Sequence, residues 1–283
     1  MLIQVLFEGL VMGTIYALIA MGIALVWGVT NILSFSQGEF MMLSMYLAFY
    51  FNTLFGLDPV ASIPLVMAIM FLFGAIVYKT LISRALKGPK LSQRLITFAL
   101  GMVITNGMLM TVGGQYRSIP NLMFQGSIDL GFLMVSRQKL VPLAVSLIVT
   151  GLLFLFMDKT KVGKSIRATA QDKEAAGLMG INTENAYMLA FGISTAIAGA
   201  AGCSLTYYYY IYPAVGAPFL IFGFIAVCLG GFGNIAGAFL GGLIMGMVDL
   251  FTGSYLSTTY KYLAVCVIFM LTVSFKPKGL FGR

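Results

Sequence analysis

The chain has 283 residues, 60% of them apolar and 9% charged, with a net charge of +8 and no histidine. Several apolar runs approach the ~20 residues needed to cross a bilayer, which excludes a soluble globular domain and indicates an integral membrane protein. The missing histidine removes Ser/His/Asp and Cys/His catalysis and most zinc sites, and Cys203, Cys228 and Cys266 each lie in an apolar run with no CxxC pair, so neither an enzyme nor a metal site is expected.

The apolar runs fall at 2–28, 40–56, 60–80, 95–113, 140–157, 186–207, 218–231, 234–251 and 260–275. They predict an all-α integral membrane protein, a polytopic helical bundle of eight to ten spans with two broken or short helices, forming a single transmembrane domain over 1–283. The first run begins at Leu2 without a basic lead segment or cleavage site and reads as a retained span. Thirteen of the 17 basic residues fall at 79–94, 159–173 and 276–283. Since short cytoplasmic loops carry the Lys/Arg excess, these clusters and the C-terminus go inside, and 114–138 goes outside. The positive charge is therefore a topology signal, and no nucleic acid is expected as a partner. Counting 2–28 and 40–56 as two crossings puts the amino terminus outside; a re-entrant opening stretch puts it inside.

The first anomaly is "NILSFSQGE", residues 31–39. On a regular helix Asn31, Ser34, Ser36, Gln37 and Glu39 would point in nearly every direction, and such a segment at membrane depth must face protein or water. Ser36-x-x-Glu39 matches a capping box, with the Ser36 hydroxyl on the third helical amide and Glu39 reaching back to the Ser36 N–H. That starts a new helix at Gln37 after a break at 30–35. A helix amino terminus inside the membrane attracts a carboxylate, and Glu39 offers a partner for an ammonium. The plainer alternative is that Glu39 only caps and Asn31 only serves freed backbone groups.

The longest inside segment, 158–184, reads as a short helix with Asp172 as N-cap, Glu174 in the first turn and Gly180 at its end. Small residues at Ala175, Ala176 and Gly177 make a flat face suited to close docking of another protein, the alternative being a solvated connector. Gly163-Lys164-Ser165 imitates the tail of a phosphate-binding loop. Asp158 stands where that motif needs its first glycine, so no P-loop is expected.

Further along, Tyr207, Tyr208, Tyr209, Tyr210 and Tyr212 read as an interfacial aromatic belt or a substrate cage. The stretch 220–250 is long for one span, and Gly230, Gly231, Gly233 and Asn234 mark its break. Beyond it Gly233, Gly237 and Gly241 recur every four residues beside Gly242 and Gly246, a ridge for close helix packing. Two discontinuous spans, at 31–39 and 230–234, point by analogy to a pathway between them.

"TKVGKSIRATAQDKEAAGLMGIN" resembles the cytoplasmic loop of ABC-transporter permeases of the branched-chain amino acid (Liv) type. "GTIYALIAMGIALVWGV", "FGFIAVCLGGFGNIAGAFLGGLIMG", "YLSTTYK" and "KPKGLFGR" extend the likeness over essentially the whole chain, in order. The resemblance implies an importer permease in a bacterial-type inner membrane. Its implied partners are a second permease subunit, two cytoplasmic ATPase subunits that use the ATP, an external periplasmic solute-binding protein and membrane lipid; the chain itself takes no cofactor. It also implies that Glu174, Ala175, Ala176 and Gly180 form the coupling helix seated in the ATPase, led into by Gly163, Arg167 and Ala168, and the capping residue Asp172 is counted with them. Relatives of this type commonly carry Asn-x-x-His-Gly-Glu in the first break and a lysine at Phe222, whereas this chain has Ser34-Phe35-Ser36-Gln37-Gly38-Glu39 and a phenylalanine. Both changes remove a cation, which opens the substrate to related amino acids and to amide or urea-like solutes. The rival from another class is a self-sufficient secondary transporter or channel with Glu39 as its cation site.

Overall fold

The computed structural model describes residues 2–86, 88–120, 122–124, 126–129, 134–257, 259–276 and 279–282. Helix α1 (Leu2–Thr30) is followed by α2 (Gln37–Phe55) and α3 (Pro59–Val77), which continues through a π-turn (Tyr78–Ile82) and a last α-turn (Ser83–Ala85). Then come α4 (Lys90–Val112), a short antiparallel hairpin of β1 (Ser127–Asp129) and β2 (Met134–Ser136), and α5 (Arg137–Lys159). The long connector holds α6 (Lys161–Gln171) and α7 (Lys173–Leu178), and the chain ends with α8 (Thr183–Leu205), α9 (Gly216–Gly230), α10 (Ile235–Tyr255) and α11 (Tyr260–Phe275).

Among the described residues, α1, α3, α4, α5, α8 and α10 are long and apolar enough to cross a membrane, and α9 and α11 are shorter apolar helices. The protein is a multi-pass membrane protein. These eight and the 19-residue α2 make nine helices, within the expected eight to ten. The hairpin adds a small element to a bundle that is otherwise helical among the described residues.

Helix α1 is apolar on all sides, and residues 13–26 are buried throughout. A helix without a polar face belongs in the centre, and α1 is enclosed by α10, α8, α9 and α5. The two glycine rows of α10 serve different neighbours. Gly242 and Gly246 lie against Ala17 and Gly13 of α1, while Gly237 and Gly241 lie against Gly230 and Ala226 of α9. A Cβ at any of the four would strike backbone atoms. In lipid, where apolar side chains gain nothing by leaving the solvent, such backbone-to-backbone approach is what holds helices together.

α1 starts beside the hairpin end of the bundle, where Glu8 pairs with Lys139 of α5 at 2.6 Å, and finishes at the end bearing the basic clusters. α2 instead begins inside the bundle. Gln37 bonds to Ser194, which stands about 16 Å along α8 at 1.5 Å per residue. At the periphery, α4 and α11 expose large apolar side chains such as Met102, Val103, Met110, Leu263 and Met270.

Candidate translocation site and coupling turn

The first break is held by hydroxyls. Thr30 Oγ1 donates to Val26 O at 2.7 Å and accepts from Ile32 N at 3.2 Å, while Asn31 N–H still closes onto Trp27 O at 2.8 Å. Asn31 turns the chain with φ 56°, the sole non-glycine with a positive φ among the described residues; Asn is the type that tolerates this left-handed conformation. Thr97 of α4 then braces the segment, donating to Leu33 O at 3.1 Å and accepting from Phe35 N at 3.4 Å.

The helix does start at Gln37, but the capping box does not form. Ser36 has φ −101° and ψ 6° rather than an extended cap conformation, and makes no side-chain cap bond. Its hydroxyl lies 3.4 Å from that of Ser34 instead. Glu39 does not reach back. Its carboxylate faces Gly101 of α4, where an added Cβ would lie 3.2 Å from Oε2, and Oε2 is buried with no hydrogen-bond partner. The buried Gln37 amide is engaged at both its nitrogen and its oxygen: Nε2 donates to Ser194 O at 2.9 Å, and Oε1 accepts from Ser194 Oγ at 3.2 Å. Ser194 Oγ also reaches Gly22 O at 2.8 Å, so one cluster ties α1, α2 and α8.

The turn at 230–234 exists as expected. Gly231 and Gly233 have φ 104° and 78°, and Asn234 caps α10 by accepting from Gly237 N at 3.0 Å. It sits at the basic end, where the chain terminus docks: Leu280 N donates to Leu229 O at 2.8 Å, and Asn234 Nδ2 to Phe281 O at 2.9 Å. Rings bridge it to the first break, from Phe35 to Phe224 (6.0 Å) and from Phe224 to Phe232 (6.1 Å). A different irregular segment, 206–215, delivers the helix start that touches α2. A Cβ on Gly38 would strike Gly216 O, and one on Gly216 would strike Gly38 O. Two helix amino termini therefore meet inside the bundle.

Phe222 is buried about 9 Å along α9 from that meeting point. It stacks on Tyr16 at 4.7 Å, and the Tyr16 hydroxyl donates to Asp249 Oδ2 at 3.0 Å. Lys261 Nζ lies 3.3 Å from Asp249 Oδ1. The sequence reading passed over this pair, although a lone carboxylate in the apolar run 234–251 is the signal that marks a functional candidate.

The tyrosines close the hairpin end. Tyr207 donates to Asp58, whose other oxygen accepts from Met123 N at 2.7 Å, and Tyr209 packs on Phe219 at 5.3 Å. Tyr212 meets Tyr116 at 4.8 Å, and Arg117 pairs its backbone with Ile211 while its guanidinium lies over Phe49.

In the connector, Asp172 caps α7 by accepting from Glu174 N at 2.9 Å and Ala175 N at 3.0 Å. Gly180, at φ 81°, ends it, with Ile181 N returning to Ala176 O. Ala176 faces inward, so the expected small-residue face is split, and Leu178 and Met179 project from the tip, 89% and 83% exposed. α6 is anchored to α5. Gly163 is pressed on Phe156 and Met157, and Arg167 donates to Met157 O and to Asp158 at 2.6 Å. Ala168 is half-buried on the same helix. Gly163-Lys164-Ser165 is thus helix rather than a phosphate-cradling loop. A cavity of about 450 Å³ lined by Thr30, Asn31, Lys173, Glu184 and Tyr187 lies between the first break and α7.

Residues 5–274 match the family model described as branched-chain amino acid transport system / permease component. The high-affinity branched-chain amino acid transport system permease protein BraD of Pseudomonas aeruginosa is 32% identical over 99% of this chain and 96% of its own. The permease protein LivH of Escherichia coli K12, of the same description, is 33% identical over the same shares. In shape the chain is similar to PsaBC from Streptococcus pneumoniae, solved with Fab, with a TM-score of 0.50, 12% identity, and coverage of 96% of this chain and 91% of that one. At that identity the likeness concerns the fold alone.

Proposed function

Because the chain belongs to the family of permease components of branched-chain amino acid transport systems, we propose that it forms one half of the membrane channel of an ABC importer for amino acids of the branched-chain, hydrophobic type. A second permease subunit, two ATPase subunits and an external binding protein complete the assembly, and ATP is hydrolysed by the ATPases. The basic clusters and the C-terminus face the cytoplasm across the inner membrane.

The observation that carries this reading is the tip of α7. Two large apolar side chains almost fully exposed to solvent, on a turn rigidified by Asp172 and Gly180, fit a groove in another protein and serve no purpose inside this one. Asp172 and Glu174 align the turn, while Gly163 and Arg167 lock α6 to α5, so that force at the tip reaches the spans. Disrupting 174–180 is expected to release co-purified ATPase from the folded permease. Retention of a full complement of ATPase would overturn the reading.

The solute path runs from the tyrosine segment to the meeting point of α2 and α9, past Phe222 and the first break at Asn31, Ser34, Ser36, Gln37 and Glu39. It leaves by the turn at Gly230, Gly231, Gly233 and Asn234. Helix amino termini carry partial positive charge and favour a carboxylate, and the free Glu39 oxygen favours an ammonium. Glu39→Gln is expected to lower uptake about tenfold while assembly and thermal stability stay near wild type, as for a lost charge-assisted contact. Wild-type uptake rates would reduce Glu39 to a packing role. The unpartnered oxygen is also what a self-sufficient cation-coupled transporter would show; solute flux through this chain alone, without ATP, distinguishes that case.

A further inference from the structure

Asp249 is the most deeply buried carboxylate among the described residues, 2% exposed within α10. Its Oδ2 accepts the Tyr16 hydroxyl, and its Oδ1 makes no hydrogen bond, with the Lys261 ammonium standing 3.3 Å off from the start of α11. The Lys261 side chain remains 23% exposed. Aromatic rings surround the pair: Tyr16 stacks on Phe222 at an interplanar angle of 9°, and Tyr262 adjoins Phe222 at 5.9 Å. Phe219 bridges Tyr16 at 5.6 Å to Tyr209 of the segment leading in from the hairpin end.

A buried ion pair is a poor way to hold two helices together, because desolvation consumes most of the Coulombic gain and apolar replacements do as well or better. α10 and α11 are joined by a short connection and do not need one. Ionisable groups in spans are retained where they meet a substrate. Here the two charges are unequally fixed. Asp249 is held by Tyr16, whereas Lys261 sits on a flexible four-carbon stem and leaves Oδ1 with unused acceptor capacity.

We propose that this pair is a receiving site for a zwitterionic amino acid: the solute ammonium takes the place of Lys261 on Asp249, and Lys261 swings onto the solute carboxylate. The exchange replaces one opposite-charge contact with two, around a carboxylate that is already buried, and the rings of Phe222 and Tyr16 receive an apolar side chain. An uncharged amide or urea-like solute could not make it. The site rests on the importer reading and lies beside the same path.

The test uses the complete transporter in proteoliposomes, with leucine delivered by its binding protein and uptake counted per ATP hydrolysed. The neutral pair Asp249→Asn with Lys261→Met removes both charges together and leaves no unpaired charge. It is expected to assemble and hydrolyse ATP, yet deliver about tenfold less leucine per ATP, the loss of a charge-assisted contact. A merely structural pair would lower both activities in proportion to assembled protein, so a wild-type ratio overturns the proposal. Where the double variant does not assemble, Tyr16→Phe decides. It keeps the stack on Phe222 and removes only the hydroxyl on Asp249; a reduced ratio is expected, and an unchanged one overturns the site. Wild-type transporter that hydrolyses no ATP and moves no leucine rejects the amino acid reading itself, which is a separate outcome.

Discussion

Leu178→Asp combined with Met179→Asp is expected to abolish ATP-driven uptake while leaving the permease folded. Both side chains are outside the packed structure, so their replacement removes no core contact, and surface substitutions away from special features usually stay within about 0.5 kcal/mol of neutral. Two carboxylates at the tip would have to be buried without partners in any apolar groove that receives it, at a cost of several kcal/mol each. That corresponds to more than a thousandfold loss of affinity for the ATPase. Co-purification and uptake should fail together while the thermal midpoint of the purified permease is unchanged. A midpoint that falls with them would show that the tip is part of the fold, and normal uptake would remove it from the coupling path.

The second large effect is at the meeting of the two helix starts. Gly38→Val places side-chain atoms where Gly216 O already lies, with the Cβ of Leu220 3.0 Å away. Neither neighbour is the free end of a flexible side chain, so the backbones of α2 and α9 must separate, costing about 1–3 kcal/mol or more by overpacking. Displacement of the Gln37–Ser194 cluster one residue away adds to it. Uptake should be lost and the midpoint lowered, and Gly216→Val should behave alike for the same reason. Gly107→Ala and Gly151→Ala, in helices with nothing within 4 Å of the added carbon, serve as controls and should be neutral or slightly stabilising. Equal behaviour of all four variants would mean that the contact is not the reason for glycine at Gly38.

Legibility followed the range of the interaction. Class, approximate span number and the placement of α7 were readable because they depend on local composition: apolar run length, basic clusters, and the Asp172 cap and Gly180 stop, which act within a few residues. The helix start at Gln37 was readable for the same reason. The capping box was not, because Ser36 and Glu39 had the right spacing while Thr97 and Gly101, more than 60 residues away, drew the segment into another geometry. Glu39 thereby became an open carboxylate facing α4 rather than a cap.

The glycine rows show the division most clearly. Their spacing alone indicated close packing, but only the three-dimensional arrangement assigned Gly242 and Gly246 to α1 and Gly237 and Gly241 to α9. Likewise, the glycine turn at 230–234 was evident in the chain, whereas the pairing of α2 with the start of α9 through Gly38 and Gly216 was not. Asp249 and Lys261 stand on different helices and Tyr16 on a third, more than 200 residues from either. By itself the sequence determined what must lie in the membrane, which end carries the basic charge and where helices stop, since each follows from solvation and backbone preference over a few residues. The tertiary structure decided which polar groups are spent on packing, as in Gln37, and which keep an oxygen without a hydrogen bond, as in Glu39 and Asp249, because hydrogen-bond partners inside a bundle come from helices that only the fold brings together.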